Sequence, residues 1–155
     1  MLISIDPGKK AAGVALFENN ALCFAFLAQG ELWEETAQQA IRTIKEFAPV
    51  QVFLELVIEE MQVYADRKVP SKDLIELSQQ AGYFIGALRP NVAVSLYTPA
   101  AWKGQTPKDV MNKRIMNKLT PEELACIHWP LAQSLRHNVK DAIGIGMHHI
   151  GRIEP

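Results

Sequence analysis

Short apolar runs separated by turn-forming residues fill the first thirty positions, and apolar stripes at helical spacing fill much of the rest. Met1 to Ile5, Ala12 to Phe17 and Ala21 to Leu27 predict three strands. Asn19 and Asn20, between the last two, tolerate the left-handed backbone of a tight hairpin, so the chain is expected to open as an antiparallel meander. Ala37, Ala40, Ile41, Ile44 and Phe47 form one helical stripe over Glu34 to Phe47, with glutamates in the first turn where the helix dipole favours them. Val50 to Val57 is β-branched and apolar, as a strand covered on both faces would be, with Glu55 as the exception inside it. After a polar stretch, Pro70 and Ser71 start a helix carrying Leu74, Leu77, Ala81, Ile85 and Leu88. Val92 to Tyr97 predicts a fifth strand and Pro99 to Pro107 a loop. Helices follow over Pro107 to Leu119, from Pro121 to Cys126, and from Asn138 or Val139 to Ile150.

Three strands, then helix, strand, helix, strand and further helices describe an α/β fold. It is a five-stranded mixed sheet, an antiparallel meander extended by parallel strands and flanked by helices. That is the ribonuclease H-like topology. In such a sheet the first strand and the strand after the first helix lie side by side, an arrangement expected to bring Asp6 and Glu55 together. At 155 residues, without repeats or linkers, the chain reads as one domain over 1–155. The first residues lack a basic leader segment and no apolar run reaches membrane-spanning length, so a cytoplasmic protein without membrane association is expected. Cys23 and Cys126 lack metal-type spacing and read as reduced core residues.

The chemistry is carried by acids. Asp6 ends an apolar strand directly before Pro7 and Gly8, a pair suited to a tight turn. Glu55 interrupts an apolar run, where a carboxylate needs a cation or metal beside it. Asp141, near the head of the last helix, would be stabilised there by the helix dipole even without a catalytic role. Together the three supply the oxygen donors that Mg²⁺ takes, with Mn²⁺ as the alternative. Two such ions per site would serve metal-dependent phosphodiester hydrolysis. An actin-like or sugar-kinase ATPase, suggested by the Asp-x-Gly turn, would need a second comparable domain for which this chain is too short.

Ile5-Asp6-Pro7-Gly8 with Gly13, then Phe53-Leu54-Glu55, and finally His137-Asn138-Val139-Lys140-Asp141-Ala142-Ile143-Gly144 resemble the RuvC family of Holliday junction resolvases, particularly its short bacteriophage members. Gln79-Gln80-Ala81-Gly82 and Trp102-Lys103-Gly104 fall where family counterparts are expected, and the resemblance spans nearly the whole chain. It implies a homodimeric endonuclease cutting branched DNA such as the four-way junction, with Asp6, Glu55 and Asp141 as metal ligands. Two positions depart from the family pattern. Asn138 stands where an Asp or His is usual, so either its amide oxygen or His137 would provide the fourth group. Ile58 stands where the family often carries a stacking aromatic, and Ile58 or Tyr64 would be an apolar wedge or simply core.

The net charge of −1 argues against coating nucleic acid by bulk attraction. Cations are nevertheless concentrated between Lys103 and Lys118, and Glu31 to Glu60 is acidic. The resemblance sets Lys103 close to the scissile phosphate. Lys108, Lys113 and Arg114, with Lys9 beside the Asp6 turn, would hold more distant phosphates. The same acids would also serve a nuclease acting on RNA, flaps or forks, and loss of catalysis would leave a branched-DNA-binding module.

Overall fold

The computed structural model of the chain describes residues 1–47, 55–61, 70–88 and 93–155. Strands β1 (Leu2–Asp6), β2 (Ala11–Glu18) and β3 (Ala21–Gln29) form the antiparallel meander that their pattern predicts. Asn19 and Asn20 close the second turn at φ 51° and 65°, the paired left-handed conformation of a two-residue hairpin. Helix α1 (Trp33–Phe47) leads to β4 (Glu55–Glu59), parallel to β1, and α2 (Ser71–Leu88) leads to β5 (Ala93–Tyr97), parallel to β4. The sheet order is β3-β2-β1-β4-β5, the mixed five-stranded arrangement expected from the element order. Residues 50 to 54 of the expected fourth strand, and Tyr64, lie outside the described residues.

Alternation along the strands sends side chains to two cores. Ile3, Ile5, Val14 and Leu16 pack against Ala37, Ile41 and Ile44 of α1 and Phe84 of α2. On the opposite face Leu2, Ala15, Phe17 and Val57 meet Trp102, Val139, Ala142 and Ile143. The second face is roofed by α3 (Pro99–Lys103), α4 (Lys108–Lys118), α5 (Pro121–Ala125) and α6 (Arg136–His149). Where a loop was expected, α3 forms because the Thr98 hydroxyl accepts from the Ala101 amide at 3.2 Å and Pro99 occupies the first turn. No helix among the described residues is long and apolar enough to cross a membrane.

Helix α6 begins earlier than Asn138. A 3₁₀ turn over Gln133–Leu135 runs directly into it, so Asn138 is interior rather than a cap and Asp141 stands in the second turn. The helix is seated on the sheet by backbone contacts. Ser4, fully buried in β1, donates its hydroxyl to the Ala142 carbonyl at 2.7 Å. A Cβ at Gly13 would lie 1.9 Å from the Asn138 carbonyl oxygen, so α6 approaches β2 as closely as only glycine permits.

Candidate active site

The register of β1 against β4 decides which acids meet. Leu2 pairs with Glu55 and Ile5 with Ile58, so one step further along both strands Asp6 stands beside Glu59. Glu55 therefore lies at the other end of the strand, roughly 13 Å away at strand rise. It is 49 % exposed and its carboxylate meets His149 Nε2 at 2.7 Å, while His149 Nδ1 meets the Tyr97 hydroxyl at 3.1 Å. The expected union of Glu55 with Asp6 and Asp141 does not form; Glu59 takes that position. Parallel strands present the same end together, and Glu59, like Asp6, is the last residue of its strand.

Asp141 reaches the same place from α6, since Gly13, the partner of Asp6 across the β1–β2 ladder, lies under Asn138. The three carboxylates feel one another. Burial foremost, then the charges of Glu59 and Asp141, hold Asp6 well above the ordinary carboxylate range, against the pull of Lys103 and Lys108. Glu59 is raised as well, chiefly by burial, with Lys103 and a hydrogen bond from Trp102 opposing. Trp102 Nε1 donates to Glu59 at 2.7 Å, and Lys103 stands 3.8 Å from the same oxygen and 4.7 Å over the Trp102 ring. The buried Trp102 thus positions both an acid and a cation. Lys108 lies 3.4 Å from Asp141, which is itself buried.

Among the described residues no three His, Cys, Asp or Glu side chains stand in ready coordination geometry. The donor set nevertheless suits a hard divalent cation. It comprises three carboxylates at one end of the sheet, two of them with raised proton affinity, and two lysines offsetting their charge.

The remaining expected residues divide. Asn138 donates its side-chain amide to the Ala11 carbonyl at 3.4 Å, which directs the nitrogen toward β2. His137 Nδ1 meets the Ser134 carbonyl at 2.7 Å, stitching the 3₁₀ turn to α6. Lys9 is held by Asp73 at 2.8 Å and Glu76 at 2.6 Å, so it fastens the Asp6 turn to α2 instead of presenting a bare charge. Gln80, buried in α2, strengthens that link by donating to the Gly8 carbonyl at 3.2 Å. Ile58 is 0 % exposed and belongs to the core, which removes it as a wedge. Lys113 and Arg114 are exposed on α4, with Arg114 donating to the Glu154 carbonyl at 3.0 Å.

No protein-family model and no curated protein matches the sequence. Solved structures do match the fold. RuvC of Thermus thermophilus superposes with a TM-score of 0.64 at 17 % identity, covering 99 % of this chain and 98 % of that one. The same organism's RuvC in complex with a Holliday junction substrate gives 0.61 at 18 % identity, with coverage of 99 % and 98 %. Fowlpox virus resolvase in complex with substrate Holliday junction DNA gives 0.55 at 16 % identity, covering 97 % and 96 %. Nearly the whole chain is thus built on the ribonuclease H-like fold in the form that RuvC has.

Proposed function

We propose that the protein is a metal-dependent, structure-selective endodeoxyribonuclease that hydrolyses phosphodiesters in branched DNA, with the four-way junction as substrate. The observation that carries this reading is the convergence of Asp6, Glu59 and Asp141, from two parallel strands and a helix, at one end of a resolvase-type sheet. These three would hold Mg²⁺, or Mn²⁺ in its place, as two ions per site. When bound, such ions supply a Lewis-acid centre for the phosphodiester and a lowered pKa for water. The chain's own part is electrostatic and positional. Trp102 keeps Glu59 aimed, at a hydrogen bond of the strength typical for a charged acceptor, about 1.5–3 kcal/mol. Lys103 and Lys108, freed from the acids by a cation, would turn to substrate phosphates, while Lys113 and Arg114 would hold phosphates further out.

Purified protein given Mg²⁺ and a panel of four-way junctions, flaps, forks, linear duplex and RNA is expected to cut the junction preferentially and to stop on addition of EDTA. Equal cutting of linear duplex would overturn the structure selectivity. Preference for RNA or flaps would redirect the substrate assignment while keeping the same acids.

A symmetric junction calls for two active sites, and α2 has the surface for a second copy. A Cβ at Gly82 or Gly86 would meet nothing within 4 Å, and Ile75 and Tyr83 are exposed on the same helix. Glycines facing outward beside exposed apolar groups suit close approach of another helix. Sedimentation at micromolar concentration is expected to give the mass of a dimer, and a monomer mass would refute this arrangement.

A further inference from the structure

The segment from Cys126 to Lys140, which delivers the chain to α6, contains no carboxylate. Its two strongest cations are held in one place. Arg136 and Lys140 are one helical turn apart, and both lie over the ring of Trp129, at 5.7 Å and 5.9 Å from its centroid. Arg136 is further fixed by donating from Nε to the Pro130 carbonyl at 3.4 Å. None of the ion pairs among the described residues involves either of them, whereas Lys9, Lys10, Lys72, Lys103, Lys108 and Arg152 each face a carboxylate. Leu131, two residues after Trp129 and next to Pro130, is 100 % exposed. Lys140 immediately precedes Asp141 in α6, so the helix that carries this pair of cations also carries one acid of the cluster.

We propose that Trp129, Leu131, Arg136 and Lys140 form a second nucleic-acid contact that receives an unpaired or distorted stretch of the strand beside the scissile phosphate. This deepens the nuclease reading and rests on it. The occupant follows from charge and shape. Two adjacent cations with no carboxylate partner among the described residues suit consecutive backbone phosphates. A projecting aliphatic side chain is the kind of group that enters between bases once their stacking is interrupted, as at a branch point. Trp129 acts as the post that sets the two cations, and Leu131, two residues along the same loop, as the projecting finger.

The test uses the full chain carrying Asp6→Asn, so that binding is read without cleavage, and a four-way junction with 2-aminopurine at the branch point. Arg136→Gln with Lys140→Gln is expected to lower the slope of log affinity against log salt by about 1.4 to 1.8, two phosphate contacts. Leu131→Ser, at a fully exposed position, is expected to keep that slope and to lose the fluorescence rise that accompanies base unstacking. Junction binding by the Asp6→Asn parent with unchanged slope and fluorescence in the variants would overturn this contact alone. Failure of the parent to bind any branched DNA would overturn it together with the nuclease reading.

Discussion

Glu59→Gln is expected to reduce junction cleavage by roughly 100- to 1,000-fold, the scale on which loss of one charge-stabilising group at a reacting centre is felt. Glu55→Gln should leave the rate within about twofold, as for an exposed substitution distant from the chemistry. The two glutamates share a strand and a face, so this pair isolates position along the strand from every other variable. Glu59 ends β4 beside Asp6, whereas Glu55 begins it and faces His149. Equal losses in the two variants, or a loss only in Glu55→Gln, would refute the register-based assignment. Because burial and like charge raise the proton affinity of Asp6 and Glu59, protons compete with a divalent cation there more strongly than at ordinary carboxylates. Its apparent affinity is therefore expected to weaken as pH falls, which a titration followed by calorimetry at several pH values would measure.

The second large effect concerns stability. Glu123 is 5 % exposed and accepts from the Leu22 amide at 2.8 Å, from the Thr120 amide at 2.9 Å and from both guanidinium nitrogens of Arg152. Arg152 also donates to the carbonyls of Asn20 and Lys118. One ion pair thus ties the β2–β3 hairpin, the end of α4, the capping box of α5 and the last residues to each other. The Arg152 hydrogen bonds, helped by the two amides and opposed by burial, depress the Glu123 carboxyl to about 2 from an ordinary 4.5. The folded form therefore keeps its charge where the unfolded chain has already taken up a proton. The resulting stabilisation is complete above about pH 4.5 and is lost as pH falls from there towards 2. Glu123→Gln should destabilise the protein by about 2–4 kcal/mol at neutral pH, since it strands a half-buried guanidinium. Denaturant unfolding at pH 7 and pH 3 should show that deficit shrinking at the lower pH. An equal deficit at both would refute the linkage.

Much of this fold was legible because its signals are local. The Asn19-Asn20 turn, the stripe of α1 and the Pro70-Ser71 start of α2 each depend on residues a few positions apart. Choosing between Glu55 and Glu59 was not local. Period-two alternation sends both to one face, so only pairing with β1 separates them. The clue lay in comparing the strands: Ile3-Ser4-Ile5 ends on Asp6 and Leu56-Val57-Ile58 ends on Glu59, and parallel strands offer their carboxyl ends to one crevice. The start of α6 escaped for a similar reason, because Asn138 has a cap's composition while the 3₁₀ turn ahead of it makes a cap unnecessary. The basic stretch from Lys103 to Lys118 looked uniform in sequence, yet folding brings Lys103 and the exposed Lys108 against the acids, while Lys113 faces solvent.

The contact between Gly13 and Asn138 bears on how such a site persists through divergence. Asp6 faces Gly13 across a strand ladder, and Gly13 touches the helix backbone with no side chain between them. The offset between the strand that carries one acid and the helix that carries another is set by main-chain dimensions rather than by the volume of intervening core residues. Substitution of the buried side chains around it can then proceed without altering that offset. Selection on this chain would bear hardest on a residue that has no side chain to contribute.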